Sequence, residues 1–190
     1  GMMPLIDRWV IDAACAFIAG ELEAGREPPK LHVNLSGLTL ADPGLEDYIR
    51  FVLRERGVQP HRLGFEITES CAIAQLELAL AFIEFCRQIG CELALDDFGS
   101  GLSSFGYLKR FKVHSLKIDG MFVKNADRDA DDRAVIESMV RLAQHKQLHT
   151  VAEFVASDKV LQTVRELGVD YAQGFYLHHP EPLGMLSSRG

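Results

Sequence analysis

Long hydrophobic runs and an excess of basic charge are both missing from this sequence. No apolar segment approaches the roughly 20 residues needed to cross a bilayer, and the N-terminus lacks the basic-then-apolar pattern of a signal peptide. The net charge of −7 disfavours a nucleic acid polymer as partner, because such binding normally requires a basic face. We therefore expect a cytoplasmic protein without direct membrane insertion, although a longer parent protein could still be membrane-anchored.

Cysteine is scarce too, and its spacing excludes the usual metal and disulfide patterns. The four cysteines are Cys15, Cys71, Cys86 and Cys91. None forms a Cys-x-x-Cys pair and all stand among apolar residues, which is typical of reduced, packed thiols. We therefore expect neither a zinc site nor a disulfide framework.

What is present is the composition of one globular domain. A chain of 190 residues with 47% hydrophobic residues, 25% charged residues and a mean hydropathy of +0.03 can bury a continuous core. Gly1 cannot be an initiator residue, so residues 1–2 are interpreted as the remnant of an expression tag. The predicted domain covers residues 3–186.

From residue 30 onward, short apolar segments alternate with longer helical patterns, separated by brief turns. This alternation is typical of repeated strand–helix units. The predicted strands are Lys30–Leu35, Arg62–Ile67, Cys91–Asp96, Ser115–Asp119, Thr150–Phe154 and Val169–Gln173.

The helices around these strands have recognisable ends and apolar faces. One is predicted from Asp42–Pro43 to Gly57, and another from the capping residue Ser157 to Gly168. Ahead of the first strand, a helix over Leu5–Leu22 is predicted to pack through Leu5, Trp9, Ala13 and Ala16 or Phe17. Two more apolar faces are predicted, formed by Ile73, Leu76, Leu80 and Ile83 and by Ile136, Met139, Val140 and Ala143.

The strand sequences favour a barrel over two other arrangements. Central strands of a doubly wound sheet are buried on both faces and read as nearly continuous apolar runs. Here the faces differ, since Val33 and Leu35 oppose His32 and Asn34. Antiparallel hairpins could also alternate, but they would not need a helix after most strands. We therefore predict an α/β fold, an incomplete TIM-like (βα) barrel of about six parallel strands.

Polar residues stand near the carboxyl ends of these strands, on the face that is not apolar. They are Asn34, Glu66, Asp96, Lys117, Glu153 and Gln173. In a βα barrel this is the active-site end, and carboxylate and amide oxygens are hard ligands suited to Mg²⁺ or Mn²⁺. The adjacent acids Asp96 and Asp97 repel each other unless cations lie between them. Any one acid could be a solvated strand end or a helix cap, but their coincidence on one rim predicts a metal site.

Two further features adjoin the acids. The polar, glycine-containing segment Asp97–Ser104 predicts a mobile site loop, although its glycines could serve only the backbone. Lys117 lies between apolar neighbours, and a buried lysine must be paired. It is therefore either a structural counter-ion or a cation that orients water in a hydrolase, and the residues alone leave both open.

Six motifs, in this order along residues 5–182, resemble those of the EAL domain family. Agreement of six ordered motifs arises by chance far more rarely than agreement of any one. They are Asn34 in Val33–Ser36, Glu66 and Glu69 in Phe65–Glu69, Asp96–Gly101, Leu116–Gly120, Val151–Glu153 and Gln173–Phe175.

The resemblance implies a barrel that hydrolyses the bacterial second messenger cyclic di-GMP to linear pGpG with two Mg²⁺ or Mn²⁺ ions. One metal would be bound by Asn34, Glu66 and Asp96, and the second by Asp96 and Asp97, with Glu153 completing the metal and water shell. Lys117 and Glu153 would be catalytic, and Lys117 would orient or deprotonate the attacking water. Glu69 would anchor the loop around Ser100. The substrate contacts implied are Leu35, Ser36, Gln173, Gly174 and Phe175.

The sequence departs from the family most clearly at Glu-Ala-Leu, a tripeptide that does not occur in it. In the family this segment lies on an upstream strand and supplies another ligand of the first metal. We therefore expect a barrel without its first two strands and slow or no turnover. Open strand edges and apolar helix faces would also favour a homodimer. Smaller departures are Ser100 for a frequent Thr, and Phe154–Ala156 for a frequent Gly-Val-Glu.

Other functions compete with hydrolysis. A non-catalytic cyclic-di-GMP receptor would be favoured by loss of the metal acids, which are retained here. A dimerisation module would use the barrel only as a scaffold, and another metal-dependent lyase or esterase would share the fold, because a fold alone does not fix a function. The resemblance also implies an upstream sensor or GGDEF-type domain in the parent protein.

Overall fold

The computed structural model of the chain describes residues 2–101 and 105–185. Three predicted features fall partly outside the described residues: Gly1 of the tag remnant, Leu102–Ser104 of the loop, and residue 186 at the end of the domain. In the described part, no helix is long and apolar enough to span a membrane.

Strands and helices alternate along the described chain. The strands are β1 (Leu31–Asn34), β2 (Leu63–Thr68), β3 (Glu92–Phe98), β4 (Ser115–Ile118), β5 (His149–Ala152) and β6 (Tyr171–Ala172). The helices are α1 (Met3–Glu23), α2 (Gly37–Leu40), α3 (Leu45–Arg56), α4 (Glu69–Ala74), α5 (Leu76–Ile89), α6 (Phe105–Leu108), α7 (Gly120–Val123), α8 (Ala130–His145) and α9 (Asp158–Glu166), with a 3₁₀ turn over Pro60–Arg62. Every predicted strand is present, with bounds shifted by at most a few residues.

The described strands form one sheet in which each strand pairs with the next along the chain, always in parallel. A doubly wound sheet would reverse its direction of growth at a switch point. Sequential order without reversal is the order of a (βα) barrel wall. The fold is therefore an incomplete TIM-like barrel, as predicted.

The two faces of this sheet differ in the way the sequence predicts. Side chains on the outer face are at most 1% exposed beneath the helices: Phe65, Ile67, Leu93, Leu95, Leu116 and Ile118. The helices α5 and α8 pack against this face at β3, β4 and β5. The inner face carries polar residues between small ones such as Gly64 and Ala94. The carboxyl ends of the strands therefore meet around a polar lumen.

Several helix ends follow local chemistry as predicted. Ser157 caps α9 by accepting a hydrogen bond from the backbone N–H of Val160, and Gly57 ends α3 at a positive φ of 64°. The predicted start of α3 at Asp42–Pro43 is wrong, because the helix begins at Leu45. The Asp42 carboxylate accepts from the N–H of Gly44 and pairs with Arg8 at 2.7 Å instead of capping the helix.

The predicted packing face of α1 is also wrong. Leu5 and Trp9 are 69% and 70% exposed, while Ile11 and Ile18 are fully buried. A buried acid orients the helix: Asp7 accepts hydrogen bonds from Ser36 N at 2.9 Å and from the Thr39 hydroxyl. Both stripes of α1 are apolar, so hydrophobic periodicity alone could not decide which one faces the core.

The single helix predicted through Ile73, Leu76, Leu80 and Ile83 is two helices in the structure, so its buried face differs from the predicted one. Helical geometry is interrupted at Gln75 between α4 and α5, and Ile73 and Leu80 therefore do not share one helix. The buried residues of α5 are Ala79, Phe82, Ile83, Phe85 and Cys86. In α8, by contrast, the predicted face of Ile136, Met139, Val140 and Ala143 is the buried one.

The cysteines are free thiols, as the sequence predicts. Three of them are buried in the core, namely Cys15, Cys86 and Cys91. Burial raises the pKa of the Cys15 thiol to about 11 and that of Cys91 to about 12. They behave as small core residues and not as nucleophiles.

Candidate metal centre

One lysine stands at the centre of the acids that the strands bring together. Lys117, on the inner face of β4, is only 6% exposed. Its Nζ lies 2.6 Å from Glu66 Oε2, 3.0 Å from Asp96 Oδ1 and 2.9 Å from Glu153 Oε1. These carboxylates come from β2, β3 and the residue after β5. A single ammonium group therefore faces three carboxylates in a partly dehydrated lumen.

The pKa values of this cluster reflect a surplus of negative charge. For Lys117, burial alone would lower the pKa, but hydrogen bonds and charges of Glu66 and Glu153 raise it well above its usual range. For Glu66, burial raises the pKa, yet His32 and Lys117 together hold it below the ordinary value. For Glu153, burial and the nearby acids raise the pKa despite Lys117. The cluster would thus be stabilised by further positive charge.

Asp96, Asp97 and Glu153 lie close enough together to hold a divalent cation between them. Each presents one carboxylate oxygen, and these oxygens all lie within 4.8 Å of one another. Consecutive residues of a regular strand point to opposite faces, but the β3–β4 register shifts between Leu95 and Phe98, and Asp97 has a positive φ of 52°. Two adjacent acids therefore reach the same rim. Oxygen ligands of this kind fit a hard cation.

The structure places the other predicted ligand, Asn34, beside this cluster. Asn34 ends β1 and is paired in register with Glu66 on β2. Its side chain is exposed, whereas Glu66 is largely buried. Asn34 thus lies next to the Glu66 side of the cluster, away from Asp97.

The predicted substrate contacts have differing environments. The side chain of Leu35 is 5% exposed within the core, and Ser36 caps α2 by accepting from the N–H of Thr39. The backbone of Gln173 joins β6 to the segment after β5, since its N–H donates to Ala152 O and its carbonyl accepts from Val155 N. Gly174 and Phe175 follow at the rim, where the Phe175 ring is 64% exposed.

A buried acid holds the start of the glycine-containing loop. Glu69 is 3% exposed, and its Oε2 accepts a hydrogen bond from the backbone N–H of Gly99 at 2.8 Å. Ser100 donates its hydroxyl to Asp97 O at 2.8 Å. Gly99 has a φ of 96°, and a Cβ there would lie 2.2 Å from Met139 Cε, so the position requires glycine. Glu69 thereby links α4 to the segment after the metal-site acids.

A cavity of about 330 Å³ opens beside Glu153 and was not predicted. Its wall includes Phe154, Phe175, Lys124 and Pro180. Phe154 is a bulky residue at a positive φ of 55°, with Lys124 Nζ 4.5 Å from the centre of its ring. The signal available in the sequence was Phe154 itself, in a position where the family often has glycine.

Sequence reasoning also missed the contact of His32 with the cluster. His32 Nδ1 lies 3.3 Å from Glu66 Oε1, on the side opposite Lys117. Alternation along β1 placed His32 on the polar face, but no family motif marked it. Its role depends on a cross-strand contact that a single strand does not reveal.

Comparisons with known proteins point to one family. Residues 1–180 match the EAL domain profile. MucR of Pseudomonas aeruginosa, named a bifunctional diguanylate cyclase and cyclic di-GMP phosphodiesterase, is 36% identical over 98% of this chain and 27% of its own length. The cyclic di-GMP phosphodiesterase PdeF of Escherichia coli is 32% identical over 96% of this chain and 24% of its own length. The chain spans about a quarter of these curated relatives.

Solved structures share the fold. The PaMucR phosphodiesterase in complex with cyclic di-GMP has a TM-score of 0.91 and 35% identity, covering 98% of this chain and 75% of that chain. The FimX EAL domain of Xanthomonas citri, also in complex with cyclic di-GMP, has a TM-score of 0.90 and 31% identity, covering 95% and 71%. The incomplete barrel described above is thus the larger part of a known domain architecture.

Proposed function

This chain belongs to the EAL domain family, and we propose that it carries the metal-binding rim of a phosphodiesterase that hydrolyses cyclic di-GMP to linear pGpG. The observation that supports this most strongly is the arrangement around Lys117. One buried ammonium group is surrounded by three carboxylates, and a fourth, on Asp97, completes a cation-sized group of oxygens.

The proposed cofactor is a pair of Mg²⁺ or Mn²⁺ ions. Asn34, Glu66 and Asp96 would hold one ion, and Asp96, Asp97 and Glu153 the other, consistent with the hard oxygen ligands present. Bound there, the ions would supply a water of lowered pKa and neutralise charge on the phosphate oxygens.

The residues of the chain supply positioning and proton handling. In hydrolysis, water adds to phosphorus, one ester P–O bond breaks, and the proton of the water passes to the released sugar oxygen. Lys117 would orient the attacking water through its donors, and Glu153, whose pKa is raised chiefly by burial, would accept or share a proton beside it. Glu69 would hold the loop near Ser100 over the site.

Substrate contacts are proposed at the rim on either side of the acids. Ser36, with the backbone of Leu35, lies on the β1 side, and Gln173, Gly174 and Phe175 lie on the β6 side. The apolar cavity that Phe175 shares with Phe154 suits a planar base. The relatives whose structures hold cyclic di-GMP support this choice of ligand.

Location and assembly complete the proposal. We place the domain, residues 3–186, in the cytoplasm, fused to an upstream sensor or GGDEF-type domain as the name of MucR suggests. The exposed side chains Leu5 and Trp9 on α1 favour a homodimer. Light scattering that gives a strictly monomeric mass at all concentrations would contradict the dimer alone.

The test is pGpG release from cyclic di-GMP in the presence of Mn²⁺, followed by chromatography. Because the sequence contains no Glu-Ala-Leu, we expect slow release by this chain and faster release by a longer chain that carries the segment. Glu153→Gln should reduce either rate by a factor of about 100 or more. Binding of cyclic di-GMP without any hydrolysis in both chains would instead support a receptor, and absence of binding would reject both functions.

A further inference from the structure

We infer that His32 is a positioning residue for the metal centre: it fixes the Glu66 carboxylate in the orientation in which the metal site uses it. The inference rests on the proposed function, since Glu66 is a proposed metal ligand there. No motif of the family resemblance includes His32. On β1 it lies two residues before Asn34, on the same face of the sheet and farther from the rim.

The Glu66 carboxylate is held from two sides. Its Oε2 accepts from Lys117 Nζ at 2.6 Å, and its Oε1 lies 3.3 Å from His32 Nδ1. With a different partner on each oxygen, the carboxylate plane cannot rotate without losing one contact. Lys117 alone would leave the second oxygen free to turn, because an ammonium group can donate hydrogen bonds in many directions.

A second acid lies on the far side of the imidazole. Its Nε2 lies 3.9 Å from Glu92 Oε2, and the other Glu92 oxygen pairs with Lys30. A series of polar contacts thus runs along the lumen from Lys30 through Glu92 and His32 to Glu66. Outer-shell partners of this kind orient ligands, and their removal typically costs a factor of about 10 to 100 in metal affinity.

A glycine makes room for this arrangement. In the sheet register, Gly64 lies between His32 on β1 and Glu92 on β3. A Cβ on Gly64 would come 2.8 Å from both Cδ2 and Nε2 of the imidazole. The absence of a side chain at position 64 therefore leaves room for the ring to lie across β2, between the two acids. Gly64 and His32 act as one unit.

The pairing of His32 with Gly64 supplies two independent variants. His32→Ala removes the imidazole that contacts Glu66 Oε1, and Gly64→Ala displaces the ring while leaving it in the chain. We expect either variant to weaken Mn²⁺ binding about tenfold, measured by calorimetry and by electron paramagnetic resonance of free Mn²⁺, without substrate. The double variant should be no weaker than His32→Ala alone, since both act through the same ring.

Two further variants separate positioning from general damage. His32→Gln keeps an N–H donor within reach of Glu66 and should recover most of the affinity. His149→Ala removes an exposed histidine at the amino end of β5, whose ring packs against that of Tyr171, and should leave Mn²⁺ affinity unchanged. Wild-type Mn²⁺ affinity in His32→Ala, or an equal loss in His149→Ala, would overturn the inference.

The orientation of the Glu66 carboxylate in the metal-free protein tests the positioning role of His32 directly. In crystals of the metal-free wild type, the Glu66 carboxylate should occupy one orientation, and in His32→Ala it should rotate about its terminal bond. An unchanged carboxylate would overturn the inference. The phosphodiesterase proposal fails separately: wild type and His32→Ala could differ in Mn²⁺ affinity as expected while neither chain, even when extended upstream, releases pGpG.

Discussion

On β4, Leu116 and Ile118 are completely buried beneath the helices, whereas Lys117 between them faces three carboxylates on the opposite side of the sheet. The outer face gains its stability from apolar area removed from water, about 1.5–3 kcal/mol for each fully buried aliphatic side chain. The inner face concentrates like charge, which is unfavourable until a cation balances it. The same strands therefore separate stability and chemistry by the alternation of their side chains.

The largest effect is expected when the inner face loses its central cation. Lys117→Met should lower the free energy of unfolding by about 3–5 kcal/mol, because Glu66, Asp96 and Glu153 remain buried without a counter-charge. Urea unfolding at low ionic strength measures the loss, and Mn²⁺ should recover part of it. The exposed residue Lys159 on α9 provides the control, since Lys159→Met should change stability little. Equal stability of both variants would contradict the electrostatic account of the inner face.

The outer face should respond in stability alone. Leu116→Ala removes a fully buried side chain and should cost about 2–5 kcal/mol. The Mn²⁺ affinity of the folded variant should equal that of the wild type, because the leucine points away from the acids. Leu78→Ala, at a 44% exposed position of α5, is the matched control with little expected effect. A large change of Mn²⁺ affinity in Leu116→Ala would show that the two faces are not separable.

A smaller and local effect is expected at the contact that links the rim to α4. Glu69→Ala leaves the N–H of Gly99 without its acceptor, which should cost about 1–3 kcal/mol. Hydrogen exchange of the Gly99 amide should accelerate at least tenfold, while core amides change less. Glu77→Ala, on the exposed start of α5, should leave the Gly99 exchange rate as it is. Uniform acceleration throughout the sheet would argue against a local anchor.

The smallest effect concerns the thiols and should leave stability untouched. At pH 8 we expect one thiol, the half-buried Cys71, to react with an aromatic disulfide reagent, while Cys15 and Cys91 react only after unfolding. Burial raises the pKa of all three thiols, so little thiolate is present, and the rate at Cys71 should rise with pH. Fast reaction of more than one thiol in the native protein would contradict the packed core.

Much of this architecture could be predicted because alternation along the strands is a local property. Val33 against His32, or Ile67 against Glu66, already distinguishes the faces of the sheet, and the turns around Gly57 and Gly168 mark helix ends. The packing face of α1 could not be predicted, because its orientation is set by Asp7 reaching Ser36 and Thr39 from a distant part of the chain.

The candidate site, like the fold, was predictable only in its local features. Polar residues at strand ends could be placed on one rim, since parallel strands bring their carboxyl ends together. The distances around Lys117, the bulge that turns both Asp96 and Asp97 to the rim, and the contact of His32 with Glu66 all depend on neighbouring strands. Gly64 illustrates the difference. In the sequence it indicates only that a side chain is absent, whereas in the structure this absence leaves room for the imidazole of His32.

The central claim, that the acids of the inner face form a cation-dependent site for cyclic di-GMP, is tested most directly by one calorimetric titration. Cyclic di-GMP is titrated into the wild type and into Asp96→Asn, each with and without Mn²⁺. We expect saturable binding by the wild type that strengthens with Mn²⁺, and at least tenfold weaker binding by Asp96→Asn in Mn²⁺. Binding that is the same in both proteins and indifferent to Mn²⁺, or no binding at all, would contradict the claim.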